Sequence, residues 1–231
     1  MGDRLLAIDT ATSRATLAIG TLAEGTVLGA DAWLGAHAHA ETFLPHLAAL
    51  LAATGIEIDD IGGVVVGIGP GGFTGLRVGL ATAKTLAHGL RRPIVGIGTA
   101  EALAAAAGML GPATVILPGG PRDRYLVPLP DGGEGARLLA PTALEAWLAG
   151  PACDPSALIA VDLEDPAIPD EAHRRGAAAL DALGPALLRL GAGALESGRT
   201  DDVAALVPAY VTLPRGVAPS AEGATWSPDL R

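Results

Sequence analysis

The strongest candidates for a binding or catalytic role lie in a glycine-rich segment, GIGPGGFTGLRVG, which runs from Gly67 to Gly79. It follows a short apolar run that predicts a strand and opens a run that predicts a helix. At such a junction, free backbone N–H groups and the positive end of the helix dipole can bind an anion. We therefore regard these residues as a candidate binding loop: Gly69, Gly71, Gly72, Phe73, Thr74, Gly75 and Arg77.

Three interpretations of this segment are open. Residues 67–72 satisfy the dinucleotide pattern G-x-G-x-x-G, but they follow the fourth predicted strand, and residues 90–96 contain no acid for a ribose. A Walker-type phosphate loop needs Gly-Lys-Ser/Thr at the start of the helix, where this chain has Gly-Leu-Arg. The third interpretation is close packing of a helix on a sheet. The spacing favours it, because small residues recur at every fourth position: Gly75, Gly79, Ala83 and Ala87.

Four residues near position 40 could imitate a zinc site: His37, His39, Glu41 and His46. The first two histidines lie on one side of an extended segment, whereas His46 lies on the predicted helix beyond it. Because no second cluster of Cys or His completes four ligands, we expect no metal here. Cys153, the only cysteine, lies in a sequence typical of a loop. A disulfide framework is therefore excluded, and a reducing compartment is indicated.

The charge balance excludes a protein that binds nucleic acid strongly by itself. Among 231 residues, 15 are Lys or Arg and 25 are Asp or Glu, which gives a formal net charge of −10. Binding to a phosphate backbone needs a basic surface, so any connection with RNA should be indirect. The longest stretch without a charged residue, 102–121, is largely alanine and is interrupted by glycine and proline. We expect no membrane span, no targeting segment and a cytoplasmic location.

The order of apolar runs predicts an α/β fold with mixed sheets and flanking helices. A meander of three strands comes first, and strands and helices alternate after it. The predicted strands of the first half cover residues 4–9, 15–20, 27–33, 64–67 and 93–97, and the predicted helices cover 40–54, 75–90 and 100–107.

The second half is less regular. Its predicted strands cover residues 114–117, 124–128 and 158–161, and its predicted helical regions cover 142–148 and 177–197. We expect a first lobe over residues 1–108 and a smaller lobe over 109–213. The remaining residues, 214–231, are rich in Gly, Pro, Ser and Ala and predict a flexible tail.

Two predicted helices are unusually poor in charge. From Thr42 to Thr54 the chain has no Asp, Glu, Lys or Arg, and its one titratable residue is a histidine. The helix from Gly75 carries only two charged residues, Arg77 and Lys84. This predicts a protein–protein surface, although a chain that is rich in alanine throughout could produce the same pattern. The residues that we expect at this partner or dimer interface are His39, Leu44, Leu47, Leu51, Arg77, Leu80, Lys84 and Ala87.

Several of these motifs together resemble the TsaB (YeaZ) family. The segment GPGGFTGLRVG followed by ATAKTLA resembles the family's signature, LAIDTAT at residues 6–12 resembles its opening strand, and HAETFLP at residues 39–45 resembles its first helix. The resemblance continues from Arg92 to Leu103, covers residues 4–107 and returns around Pro208–Val211. A catalytic sister family, TsaD, shares the fold and part of the pattern.

The resemblance implies an actin-like (ASKHA, ribonuclease H-like) fold with two lobes, the second of them reduced. It also implies a role in forming threonylcarbamoyladenosine beside the anticodon of tRNA. In that system a TsaD-like subunit carries the catalysis, a TsaE-like ATPase assists, and TsaB-like subunits dimerise with the catalytic subunit or, in isolation, with themselves. We expect no cofactor that this chain binds by itself. The resemblance allows ATP or ADP at the interface with the partner.

Two departures from catalytic patterns indicate a non-catalytic subunit. The H-x-x-x-H metal pair of TsaD-like enzymes falls at Thr99 and Leu103 of this chain, and leucine cannot bind a metal. An actin-like ATPase needs glycine soon after its first acid, where Asp9 is followed by Thr10 and Ala11, and an Asp-x-Arg where residues 118–120 read Pro-Gly-Gly. We therefore expect no catalytic and no metal-binding residues. A stand-alone actin-like ATPase or phosphotransferase remains the alternative, and a dinucleotide-binding enzyme comes third.

Overall fold

Five strands form the first sheet: β1 (Arg4–Asp9), β2 (Arg14–Thr21), β3 (Val27–Leu34), β4 (Ile61–Gly67) and β5 (Ile94–Ile97). The computed structural model describes residues 2–34, 39–109, 111–130 and 135–211, and only the backbone of 39 and 40. The spatial order is β3-β2-β1-β4-β5. The pairs β1–β2 and β2–β3 are antiparallel, whereas β1–β4 and β4–β5 are parallel. This is the mixed sheet that the sequence predicts.

Three helices belong to this half of the chain: α1 (His39–Thr54), α2 (Phe73–Leu90) and α3 (Thr99–Ala106). Helices α1 and α2 bury their apolar sides against one face of the first sheet. Phe43 of α1, Leu80 of α2 and Ile8 of β1 meet in one apolar cluster there. Helix α3 contributes Leu103 to a separate cluster with Val65 of β4. Because β1 and β4 lie at the centre of the sheet with helices on both sides, their side chains are almost entirely buried.

Four strands form the second sheet: β6 (Ala113–Pro118), β7 (Arg124–Leu129), β8 (Arg137–Leu139) and β9 (Leu158–Ala160). Their order is β8-β7-β6-β9, with β6–β9 parallel and the other pairs antiparallel. Strand β8 is absent from the sequence prediction, because three residues are too few to show an alternating pattern. Helix α4 (Pro141–Leu148) packs beside this sheet through Leu144.

The last two helices are α5 (Asp170–Asp181) and α6 (Leu183–Glu196), which meet at an angle of 67°. The sequence predicts one helical region interrupted at Gly184-Pro185. The break instead falls at Ala182, and the proline lies in the first turn of α6, where its missing N–H is tolerated. Helix α6 lies within the range predicted for the smaller lobe, 109–213, and yet packs on the first sheet. The predicted tail, 214–231, lies outside the described residues.

Within the described residues, no single helix combines the length and the apolar composition that a membrane span requires. Helices α5 and α6 reach that length only as a sharply bent pair. The large apolar side chains Leu183, Leu187 and Leu188 of α6 are buried in the core that the two sheets share.

Candidate functional site

The glycine-rich segment connects the end of β4 to the start of α2. Some of its backbone N–H groups already donate hydrogen bonds to other parts of the chain. The N–H of Gly69 donates to Thr99 Oγ1 at 3.0 Å, and the N–H of Gly72 donates to the carbonyl of Ala11 at 2.7 Å. Gly69 has a φ of +95°, a conformation that favours glycine. Two of the amides that could have bound an anion therefore hold the segment against β1 and α3.

Close approach explains the glycines of this segment better than anion binding does. A Cβ on Gly71 would lie 2.2 Å from the carbonyl oxygen of Ala11, and a Cβ on Gly79 would lie 2.1 Å from Thr10 Oγ1. The predicted ridge of small residues, Gly75, Gly79, Ala83 and Ala87, is buried throughout. The third interpretation of the motif, close packing of α2 on the sheet, is therefore confirmed.

Asp9 ends β1 with a carboxyl group that is completely buried. Its Oδ1 accepts the N–H of Ala11 at 2.8 Å, and its Oδ2 accepts the hydroxyl of Thr99 at 2.7 Å. Burial raises the pKa of Asp9 to about 6, against the lowering effect of these two hydrogen bonds. Both oxygens are thus engaged inside the protein, and the carboxyl group has no open side on which to bind a phosphate or a cation.

The two positions that match the metal pair of the catalytic sister family are also closed. Thr99 and Leu103 are fully buried, and the Thr99 hydroxyl is committed to Asp9. Across the part of the chain that the structure describes, no three His, Cys, Asp or Glu side chains come together as metal ligands. His46 Nδ1 lies 2.6 Å from Asp31 Oδ2, and its ring stacks on Trp33. His37 and the side chain of His39 lie outside the described residues.

An aromatic and basic cluster stands at the exposed start of α2. The guanidinium carbon of Arg77 lies 3.9 Å from the centre of the Phe73 ring, and the Tyr210 ring lies 5.7 Å from the same ring. Arg77 Nε also donates to the Tyr210 hydroxyl at 3.4 Å. Phe73 is 39% exposed and Tyr210 is 40% exposed. Trp, Tyr and Arg are enriched at the few positions that supply most of the binding energy of an interface. We call this set, Phe73, Arg77 and Tyr210, the aromatic cluster.

Sequence reasoning did not identify Tyr210 as a site residue. It lies 133 positions after Arg77, so no local pattern joins the two. The one available signal is the return of the family resemblance around Pro208–Val211.

Glu41 is exposed in the first turn of α1, and beyond it the outer side of the helix is exposed and without charge. Leu44 is 61% exposed, and the small residues beside it on the same side are exposed as well: Ala48, Ala49, Ala52 and Ala53. A surface helix normally places charged side chains on its outer side. We call this set of five residues the α1 face.

The structure corrects part of the predicted interface. Leu47, Leu80 and Ala87 are buried in the apolar cluster between α1, α2 and the first sheet, so they cannot contact a partner. Their regular spacing reports packing within the chain, which a single sequence cannot distinguish from packing between chains. Leu44 and Arg77 are exposed, and Leu51 is half-buried.

Lys84 points towards the end of the chain. Its Nζ donates to the carbonyls of Ala204 at 3.0 Å and Leu206 at 3.1 Å. It therefore holds the segment that carries Tyr210, and its role in a contact surface is indirect.

A cleft of about 650 Å³ opens beside the aromatic cluster. Gly69, the start of α3, β7 and residues 209–211 contribute to its walls. Two of its charged groups are tied to β5, because Arg199 donates to the carbonyl of Gly96 at 2.8 Å and Asp201 accepts the N–H of Gly96 at 2.7 Å. These two charged groups therefore help to hold residues 199–201 in place, whereas Glu101, the third charged residue of the lining, is exposed at the start of α3.

Known proteins are similar to parts of this sequence. A family model described as TsaD, tRNA N6-adenosine threonylcarbamoyltransferase, matches residues 34–141. An uncharacterised protein of Mycobacterium tuberculosis is 42% identical over 99 residues, 43% of this chain and 47% of its own length. The tRNA threonylcarbamoyladenosine biosynthesis protein TsaB of Escherichia coli is 37% identical over 114 residues, 49% of this chain and 48% of its own length. The chain thus spans about half the length of the curated relatives it matches.

Solved structures extend the likeness in fold to most of the chain. An uncharacterised protein from Pseudomonas aeruginosa with similarity to the peptidase YeaZ gives a TM-score of 0.67 at 22% identity, over 92% of this chain and all of that one. YeaZ from the same organism gives 0.65 at 22% identity, over 91% of this chain and all of that one. The predicted α/β fold with mixed sheets and flanking helices and the resemblance to TsaB are confirmed.

Proposed function

We propose that this chain, which resembles the TsaB (YeaZ) family over about half of its length, is a non-catalytic subunit in the formation of threonylcarbamoyladenosine on tRNA. In this proposal the chain binds a TsaD-like catalytic subunit and supports its assembly. The observation that carries the proposal is the exposed, uncharged α1 face on the same side of the first sheet as α2, whose start carries the aromatic cluster.

The inactive character follows from the groups that catalysis would need. A phosphotransferase of this fold would need a carboxylate open to a cation, and the Asp9 carboxyl is buried with both oxygens bonded. Thr99 and Leu103 are buried where the sister family's metal pair would lie. These facts disfavour the alternative of a stand-alone ATPase or phosphotransferase.

The partner surface follows from the cost of removing water. Covering charged side chains is expensive unless each finds an opposite charge, whereas alanine and leucine are covered at a gain. The five residues of the α1 face carry no charge, the exposed Glu41 precedes them in the first turn of the helix, and Arg77 is already stacked on Phe73. A central apolar surface with an aromatic and arginine anchor is the usual composition of a protein–protein interface core. The same surface serves a self-dimer when the partner is absent.

The net charge of −10 assigns the tRNA to another subunit. A surface that must neutralise several phosphates needs lysine and arginine, and this chain has an excess of ten acids. In this proposal the chain works in the cytoplasm with the TsaD-like subunit and a TsaE-like ATPase, and it contacts tRNA only through them. Any ATP or ADP would bind where the subunits meet.

Co-purification with a TsaD-like subunit, followed by a tRNA modification assay with and without this chain, tests the proposal. We expect a stable complex, activity that depends on both subunits, and no modification by this chain alone. Arg77→Glu should weaken the complex at least about tenfold, since one anchor is worth about 2 kcal/mol. Arg174→Glu, an exposed charge reversal on α5, is the matched control and should bind normally.

Two results would overturn the proposal. Metal-dependent ATP turnover by the purified chain at rates typical of an enzyme would favour the stand-alone ATPase. Full tRNA modification by the TsaD-like subunit without this chain would remove the supporting role.

A further inference from the structure

The carboxyl group of Asp9 is buried, and neither catalysis nor the pairing of strands explains its presence there. A buried ionisable group is costly unless it is hydrogen-bonded, and the other buried side chains of β1, such as Leu6 and Ile8, are apolar. The partners of Asp9 are the N–H of Ala11, in the turn that follows β1, and the hydroxyl of Thr99, at the start of α3. Its two oxygens therefore join the turn after β1 to the start of α3, and Asp9 and Thr99 are 90 positions apart in sequence.

Thr99 carries this connection into the glycine-rich segment. Its hydroxyl oxygen accepts the N–H of Gly69 at 3.0 Å, while its own N–H donates to the carbonyl of Gly69 at 2.8 Å. Because Asp9 accepts the hydroxyl proton, the oxygen of Thr99 keeps a lone pair directed at Gly69. Asp9 thus sets the orientation of the group that holds the beginning of the segment.

The turn after β1 holds the other end of the segment. Thr10 Oγ1 donates to the carbonyl of Gly75 at 2.7 Å, and the carbonyl of Ala11 accepts the N–H of Gly72 at 2.7 Å. The N–H of Ala11 is in turn held by Asp9 at 2.8 Å. The start and the middle of residues 69–75 are therefore anchored on Thr99 and Ala11, which are both hydrogen-bonded to Asp9. The end of the segment is anchored on Thr10, the residue that follows Asp9 in the chain.

We propose that Asp9, acting through Thr99, is a positioning residue for the partner-binding surface. By fixing residues 69–75 it sets the start and direction of α2, and so the place at which Phe73 and Arg77 face a partner. The link to a partner rests on the function proposed above, whereas the positioning of the segment stands without it.

Substitutions at Thr99 test this, because valine keeps the shape and removes the hydroxyl, while serine keeps the hydroxyl. The readouts are hydrogen exchange of the isolated chain over residues 69–76 and affinity for the TsaD-like subunit. Thr99→Val should speed exchange there about tenfold and weaken binding about tenfold, the effect of losing a buried hydrogen-bond pair. Thr99→Ser should restore both to within about threefold of the original.

Ile116→Val, in the buried core of the second sheet, serves as the control for a general loss of stability. If Thr99→Val changes exchange over residues 69–76 no more than Ile116→Val does, the positioning role is wrong. If Thr99→Val loosens that segment while even the unaltered chain binds no TsaD-like subunit, the proposed function fails and the positioning of the segment stands. If Thr99→Val loosens the segment while binding stays at full strength, Asp9 does not position the partner surface.

Discussion

Thr10 and Gly79 touch so closely that only a glycine fits between β1 and α2. A Cβ on Gly79 would lie 2.1 Å from Thr10 Oγ1, and that same hydroxyl donates to the carbonyl of Gly75 one turn earlier on the helix. The contact therefore fixes both the distance of α2 from the sheet and its rotation. The charge-poor helix that the sequence singles out is held in place by this pair.

Gly79→Ala should therefore destabilise the fold. The hydroxyl of Thr10 would have to move and abandon its hydrogen bond, and overpacking of this kind costs about 1–3 kcal/mol. Gly89, exposed on the same helix with nothing within 4 Å of its added Cβ, is the matched control. Gly89→Ala should leave the free energy of unfolding unchanged or raise it by up to about 1 kcal/mol. Urea unfolding of both variants measures this, and equal stabilities would contradict the close contact.

Asp9 should make stability fall as the pH rises. Its pKa in the folded chain is about 6, above the usual 3.8, so between these values the folded state binds the proton more tightly than the unfolded state does. The contribution of Asp9 is fully present below about pH 4 and is lost as the pH passes 6. The loss amounts to about 3 kcal/mol at neutral pH for a shift of this size.

Asp9→Asn removes this titration. The stability of the variant relative to the original chain should improve by up to about 3 kcal/mol between pH 4 and pH 7.5, whatever its absolute value. Urea unfolding at several pH values measures the difference. Two profiles that run parallel across this range would show that the group does not titrate as its burial requires.

The sequence predicts the elements around the site well because their signals are local. Apolar runs and glycines mark β1, β4 and α2 within a few residues of their observed bounds. The prediction of a partner interface fails at Leu47, Leu80 and Ala87, which are buried within the chain. An apolar stripe on a helix indicates that this side is buried, but it does not indicate whether the same chain or a partner buries it.

Contacts between distant parts of the chain are the other gap. Asp9 meets Thr99 across 90 positions, and Arg77 meets Tyr210 across 133. These pairings depend on how β1, α3 and the end of the chain meet after folding. A single sequence supplies residue types but no distances. From the sequence, Asp9 is only the first acid of an ATPase pattern whose following glycine is missing, whereas its geometry is that of an internal anchor.

Leu44 and Leu47 lie three positions apart on α1 and should respond oppositely to the same substitution. Leu44→Glu changes an exposed side chain, so the free energy of unfolding should stay within about 0.5 kcal/mol, while the proposed self-dimerisation should weaken at least about tenfold. Leu47→Glu places a carboxylate in the core and should cost more than about 3 kcal/mol or prevent folding. Circular dichroism and sedimentation measure fold and association. A folded, fully dimeric Leu44→Glu variant would exclude the α1 face from the interface.

Lys84 is the only lysine of the chain, and its charge should be needed to hold the segment that carries Tyr210. Its Nζ donates to the carbonyls of Ala204 and Leu206, and the N–H of Ala209 then donates to the carbonyl of Ile68 at 2.8 Å. Lys84→Met keeps the apolar stem and removes every donor. Hydrogen exchange over residues 204–210 should become about tenfold faster, since each hydrogen bond from a charged group is worth about 1.5–3 kcal/mol.

Lys84→Arg is the control, because it keeps the charge and the donors on a stem of similar length. It should retain most of the protection of residues 204–210 that Lys84→Met loses. With the segment loosened, Tyr210 no longer stays beside Phe73 and Arg77, so Lys84→Met should also weaken partner binding even though the lysine itself faces inward. Unchanged exchange in Lys84→Met would mean that the segment is held by its backbone contacts alone, and that Lys84 is free to meet a partner directly.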